Sequence, residues 1–250
     1  MIAVDRLDNV GYLTLDRPDK LNALSTDMLA DLESAVRQLA TDDVQAIVVN
    51  SSSKNFSAGA DLTEWAAPTA AEAHRMSRVG VDAFAALANV RVPTIAVITG
   101  VAAGGGLELA LACDLRIASA SARLGLPEAG LANLPAYGGI NRLLEIVGRS
   151  RALELLYTAE LITADRAAQI GLINWVFDDE SFDEDVNNVI AKITASDPRS
   201  TAFVKALTGG APIDGLLATF TSQTPESRAR KTAFLEARTA AKSRTQGAQA

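Results

Sequence analysis

The chain has 250 residues, of which 48% are hydrophobic and 21% charged. These values lie close to the ~45 to 50% and ~25% of soluble globular chains, so disorder is not the expected state and a sizeable core is available. Lys plus Arg number 23 against 30 for Asp plus Glu, a formal net charge of −7, which sets the long-range field against polyanions and argues against nucleic acid as a partner. Only the stretch from Arg228 to Arg244 is locally basic.

The amino terminus reads as a hairpin. Ile2, Val4 and Leu7 lead through Asp8-Asn9-Val10-Gly11 into Tyr12, Leu13 and Leu15, and Pro18 ends it. Asp5 interrupts this stretch before it reaches signal-peptide length, and no run approaches ~18 apolar residues, so a cytoplasmic protein that does not cross a membrane is expected. After Ser25, a capping residue, Met28, Leu29, Leu32, Val36 and Leu39 recur at helical spacing up to Asp42-Asp43. Ala46 to Val49 is a short apolar run of the kind that fills a strand buried on both faces.

A helix is expected over about Ala71–Asn89, with Met76, Val79, Phe84 and Leu87 on its apolar side, and a strand over Thr94–Thr99. That strand runs on toward Gly104-Gly105-Gly106, which opens a helix over Leu107–Ala112; strand-like Leu115–Ala118 and Arg123–Leu126 follow. Cys113, the single cysteine, reads as a small buried thiol. Beyond Pro135 come helical stretches at Ile140–Val147, Arg151–Thr158 and Ala164–Ile170, closed by Gly171, and then a strand over Leu172–Phe177.

From Phe182 onward only helical periods occur, broken at Asp197-Pro198, Gly209-Gly210 and Thr224-Pro225, and Thr245–Ala250 lacks apolar anchors and is expected to fray. The alternation predicts an α/β core over 1–195 and a helical piece over 196–250. In the latter, Phe203, Val204, Leu207, Leu216, Leu217, Phe220, Phe234 and Leu235 fall on too many faces for an isolated segment, so a homo-oligomer is expected.

Chemistry concentrates in the middle of the chain. A strand entering a glycine triplet and then a helix offers free N–H groups, a positive dipole end and room for a carbonyl oxygen, which is how an oxyanion hole is built. A tight turn chosen for packing is the other reading of the triplet. A second glycine-containing bend, Ser57-Ala58-Gly59-Ala60-Asp61, can supply another donor. Glu108 and Glu128 each lie among apolar neighbours, where a carboxyl gains a raised pKa suited to acid–base work; as single residues they also read as a first-turn helix acid and a surface-turn acid.

These segments resemble the crotonase superfamily, the enoyl-CoA hydratase/isomerase family. The likeness is carried by Arg17-Pro18-Asp19-Lys20-Leu21-Asn22-Ala23-Leu24, Phe56 through Leu62, Gly100 through Asp114, and Leu126-Pro127-Glu128 through Gly138-Gly139. It continues through Arg151 to Val176 and, more weakly, Ala233 to Glu236. The resemblance implies a crotonase-like spiral of ββα units, a C-terminal helical trimerisation region, and a homotrimer or homohexamer. It also implies that the N–H groups of Ala60 and Gly105 hold a thioester carbonyl, that Glu108 and Glu128 act on water and substrate, and that the Ala136 N–H helps position the water. The coenzyme A portion of the substrate, with no separate cofactor, is expected along Lys20, Leu21, Ala23, Ala58, Asp61 and Leu62.

Both glutamates of the hydratases are present, so addition of water to a 2-enoyl-CoA is expected; isomerisation, carnitinyl-type dehydration and hydrolysis are the alternatives within the family, and RNA binding on this fold is opposed by the acidic balance. The sequence departs from the family at Ala136-Tyr137-Gly138-Gly139, where Gly-Ala-Gly-Gly is common, and at Ala237, where a lysine is common; Arg230 or Arg238 is available to replace it. Tyr137 reads as a shaper of the acyl end, a proton donor or a packed core residue. Trp65 reads as an acyl-channel or packing residue, Trp175 as packing, and His74 as a solvated helix position. No His, Cys and carboxylate cluster occurs at metal spacing.

Overall fold

A computed structural model of the chain describes the backbone of residues 1–208 and 221–247 and the side chains of residues 1–208 and 221–238. The hairpin forms as expected, β1 (Ile2–Leu7) pairing antiparallel with β2 (Val10–Leu15). β3 (Ala46–Ser51), β4 (Thr94–Ile98), β6 (Leu115–Ser119) and β9 (Trp175–Phe177) then add in parallel, giving the order β1-β2-β3-β4-β6-β9. A second sheet has the order β5-β7-β8, formed by β5 (Val101–Ala103), β7 (Arg123–Gly125) and β8 (Ile162–Thr163). Eight α-helices among the described residues complete the α/β fold: α1 (Thr26–Thr41), α2 (Ala70–Asn89), α3 (Gly105–Ala112), α4 (Gly139–Thr158), α5 (Ala164–Gln169), α6 (Phe182–Thr194), α7 (Pro198–Thr208) and α8 (Pro225–Gly247).

The spiral follows from a repeated step. Each turn places a strand in the large sheet, a shorter one in the small sheet, and then a helix, as in β4-β5-α3 and β6-β7-α4. Earlier turns reduce the short strand to single bridges, Leu24 with Ala60 and Ser57 with Ala102. The central strands are buried on both faces, and alternate side chains feed two cores. Ile47, Val49, Ala96 and Ile98 point into the main core, while Ala46, Val48 and Ile95 pack with Phe182, Val186, Val189 and Ile190 of α6.

The helices start where capping chemistry permits. The Ser25 hydroxyl accepts from the Met28 N–H at 3.2 Å to open α1, and Thr69 with Glu72 forms a capping box at α2. Helix α4 is broken at Gly148, with φ at 74° and ψ at 161°, between the two helical stretches that the sequence separates. Three expectations change. β4 stops at Ile98 because Gly100 takes φ of 56° and turns the chain, so Val101–Ala103 is a separate strand in the other sheet. Strand pairing after Gly171 is confined to Trp175–Phe177, and Leu172 and Ile173 are buried ahead of it. Helix α8 extends through Gly247, past the expected start of fraying.

The chain divides into two units, Met1–Pro198 and Arg199–Ala250. Within the second, Arg199 pairs with Glu226 at 2.9 Å. Gly209, Gly210, Leu216, Leu217, Phe220 and residues 248–250 lie outside the described residues. Among the described residues no helix is long and apolar enough to cross a membrane.

Asn22 is the polar joint of the first unit. It is fully buried at φ of 54°, donates to the Ser51 hydroxyl at 2.7 Å and to the carbonyls of Asn55 and Phe56 at 3.2 Å, and accepts from the Arg17 N–H at 2.7 Å. Asn22→Ala strands these groups and puts an alanine in the left-handed region, so a loss of about 3 kcal/mol in urea denaturation is expected.

Candidate active site

The site forms where the 57–61 segment is threaded between two others. On one side the Ala58 N–H donates to Leu21 O at 3.0 Å, the Leu24 N–H to Gly59 O at 2.7 Å and the Asp61 N–H to Leu24 O at 3.0 Å. On the other, Ser57 and β5 exchange bonds, the Ser57 N–H to Val101 O and the Ala103 N–H to Ser57 O, both at 3.0 Å. The Asp61 carboxylate pins the bend from inside, accepting from Arg17 Nη1 at 2.7 Å and from the Thr63 hydroxyl at 2.6 Å; these bonds hold its pKa below the usual carboxylate range.

This threading brings the start of α3 against the bend. A Cβ on Gly59 would come 2.7 Å from Ala103 O and 3.2 Å from Gly105 N, and a Cβ on Gly105 would come 3.2 Å from Ala60 N. Among the described residues neither the Ala60 N–H nor the Gly105 N–H donates to any acceptor in the chain, and both residues line one pocket. Two free donors side by side, one at a helix start and one in the neighbouring bend, are what a carbonyl oxygen needs to gain negative charge.

Glu108 and Glu128 line the same pocket. Glu108 is only 1% exposed, inside a helix whose every residue is buried. Its Oε1 accepts from the N–H groups of Tyr137 at 2.9 Å and Gly139 at 2.8 Å. Burial raises its pKa, and these N–H groups, that of Ala136 and the Arg142 charge partly oppose the rise. Glu128 lies in the 3₁₀ turn Pro127–Leu131, not at a strand end. Its Oε2 is buried with no hydrogen-bond partner, and burial, with the Glu108 charge nearby, pushes it up to about 7. Of the apolar residues near it in sequence, Leu126 is buried and Pro127 and Leu131 line the same pocket, whereas Ala129 is exposed.

Of the sequence-derived site residues, Ala58, Ala60, Leu62, Trp65, Gly105, Glu108, Glu128, Ala136 and Tyr137 come together around the pocket. Lys20, Leu21, Ala23 and Asp61 do not line it; Lys20 and Leu21 stand exposed beside the bend, and Asp61 is turned inward. Ala136 has its carbonyl tied to the Ser77 hydroxyl at 2.8 Å, which anchors the 133–138 loop to α2. His74 is exposed, Cys113 is buried, and Trp175 does not line the pocket and is 36% exposed on the edge strand β9.

Gly59, Gly104 and Pro127 also line the pocket, each from a motif already singled out but without a role given to it; sequence reasoning missed Leu131, Asn133 and Leu134 in the lining, and the parts played by Gly139 and Arg142 behind it. Gly139 has a legible signal in the Gly138-Gly139 pair, since a Cβ there would collide with the Glu108 side chain. Arg142 has none; its guanidinium donates to Tyr137 O at 3.0 Å and supports the loop that holds Glu108.

The chain as a whole is similar to known proteins. The family model described as Enoyl-CoA hydratase/isomerase matches residues 5–250. The short-chain-enoyl-CoA hydratase of Clostridium acetobutylicum is 34% identical over 249 residues, 95% of either chain. The crotonyl-CoA hydratase of Syntrophomonas wolfei is 36% identical over 82% of this chain and 80% of its own. The solved enoyl-CoA hydratase of Mycobacterium smegmatis superposes with a TM-score of 0.88 at 32% identity, covering 94% of this chain and 96% of that one.

In carbon-13-labelled protein the Glu128 carboxyl is expected to titrate with a midpoint at about 7, and Glu108→Gln to lower that midpoint by removing a like charge. A midpoint at the ordinary 4.5 would mean that water solvates the group. The folded value is the raised one, so Glu128's contribution to stability is full below pH 4.5 and is lost as pH rises through about 7. Glu128→Gln is expected to flatten the corresponding fall in thermal stability.

Proposed function

This chain belongs to the enoyl-CoA hydratase/isomerase family, and we propose that it hydrates 2-enoyl-CoA thioesters in the pocket shared by Ala60, Gly105, Glu108 and Glu128. One observation carries the assignment: two unpartnered backbone donors, the buried Glu108 and the half-buried Glu128 with its Oε2 unpartnered face a single pocket.

In this reading the thioester oxygen sits on the N–H groups of Ala60 and Gly105, which withdraws electron density from the double bond and makes C3 electrophilic. Water lies between the glutamates, with the Ala136 loop beside it. Glu108, whose oxygen already accepts two backbone N–H bonds, takes a proton from the water as its oxygen bonds to C3. Negative charge collects on the thioester oxygen as an enolate. Glu128, whose raised pKa keeps it protonated up to about pH 7, gives its proton to C2, and the proton on Glu108 returns to Glu128 through solvent. The sum is one water added across one double bond.

Coenzyme A arrives as part of the substrate, and the scheme asks for no separate cofactor. Its path is assigned past Ala58 and Leu62 at the pocket mouth and along Lys20, Leu21 and Ala23. A homotrimer or homohexamer is supported by the exposed Val204 and Phe234 in the second unit and by Tyr157, Leu161 and Trp175 in the first. A reduced, buried Cys113 fits a cytoplasmic setting.

A panel of 2-enoyl-CoA thioesters tests the reaction: conjugated absorbance is expected to fall, with product mass increased by one water. Unchanged mass would replace hydration by isomerisation. Glu108→Gln and Glu128→Gln are each expected to fold normally and to lose at least ~100-fold in turnover; wild-type turnover in either removes that residue from the scheme. Light scattering at micromolar concentration is expected to report a trimer or hexamer, and a monomer would end the assembly proposal.

A further inference from the structure

Tyr137 is the largest fully buried side chain in the first unit, 2% exposed, and it also lines the reaction pocket. One edge of its ring lies against the start of α3, where a Cβ on Gly105 would come 3.0 Å from Cε2 and 3.2 Å from Cδ2. The opposite edge lies so close to Gly80 of α2 that a Cβ there would overlap the ring. Gly80 is an ordinary helical residue with no positive φ. A mid-helix glycine weakens a helix relative to alanine, so its evident use here is to admit this ring.

Behind and beside the ring, Phe84 stands edge-on with centroids 5.4 Å apart and Trp65 with centroids 6.5 Å apart. The ring therefore has little room to retreat. Burial pushes the phenol up to about 12, so it stays neutral and its face toward the pocket is apolar.

We propose that the Tyr137 ring is the wall that ends the acyl pocket and confines this protein to short acyl-CoA thioesters. The inference deepens the hydratase reading and rests on it for the seat of the thioester carbonyl. With the carbonyl oxygen on Gly105 and C2 and C3 between the glutamates, the acyl chain leaves the seat beside a ring that touches Gly105. A long acyl chain on that path must displace the ring, and Gly80 of α2 stands against that movement. In an apolar pocket each carbon that cannot be accommodated weakens binding by ~10-fold or more.

Binding of saturated acyl-CoA thioesters, from butyryl to decanoyl, tests the wall without turnover. Calorimetry on the wild-type chain is expected to show affinity falling at least ~10-fold between butyryl-CoA and decanoyl-CoA. Tyr137→Ala and the more conservative Tyr137→Leu are expected to raise octanoyl-CoA affinity relative to butyryl-CoA by ~10-fold or more, whereas Tyr137→Phe keeps the wild-type chain-length profile. Wild-type protein that binds decanoyl-CoA as tightly as butyryl-CoA overturns the proposal, as does a folded Leu variant with an unshifted profile. Hydration assays on the same proteins keep the two readings apart. A steep binding profile without hydration overturns the reaction and leaves the wall standing; hydration with a flat profile does the reverse.

Discussion

The close approach of two backbone segments, residues 57–60 and 103–106, is the constraint on which the rest of the site depends. A Cβ on Gly59 would meet Ala103 O at 2.7 Å, and one on Gly106 would meet Ser57 O at 2.5 Å. Glycine removes those collisions, and at Gly59 and Gly104 it also supplies positive φ values of 100° and 53°. The crossing leaves the N–H groups of Ala60 and Gly105 without partners, a deficit of about 1 to 3 kcal/mol each when such a group is buried. Dense bonding around Asn22, Ser57 and Asp61 holds the segment in that unfavourable arrangement. Donors that the fold leaves unsatisfied are available, already oriented, to a developing negative charge.

The same crossing sets the two glutamates. Glu108 is one turn into the helix that starts at the crossing, so it is carried into an apolar interior, and the loop over Tyr137–Gly139 supplies it with N–H groups. Glu128 sits on a 3₁₀ turn against Gly104, where a Cβ would come 2.9 Å from its Oε1, and receives no such support at Oε2. Burial raises both groups; at Glu108 three backbone N–H groups and the Arg142 charge oppose the rise, whereas at Glu128 a single backbone N–H opposes it and the Glu108 charge adds to it. The two carboxyl groups at one pocket therefore differ in their hydrogen-bond support.

Around this centre the chain exposes apolar surface unevenly. Leu62, Leu131 and Leu134, at the pocket, are 61%, 64% and 68% exposed, an apolar rim of the kind found at ligand clefts. Trp175 is exposed for a different reason: β9 is the edge of the large sheet, and among the described residues no strand pairs with its outer side.

Much of the fold was legible in the sequence, because periodicity and capping are local. The hairpin, α1 with its Ser25 cap, the doubly buried β3 and the helix after the glycine triplet all follow from neighbours within a few residues. The motifs around Ala60, Gly105, Glu108 and Glu128 named the residues of the site. Only the tertiary structure decided how they meet. The separate strand Val101–Ala103 exists because it pairs with Arg123–Gly125, Glu128 is seated against Gly104 from a segment distant in sequence, and the fit of Tyr137 depends on a glycine 57 positions earlier, at residue 80. Such features have no local signature, since hydrogen-bond partners, desolvation and steric room are set by chain segments that folding brings together from afar.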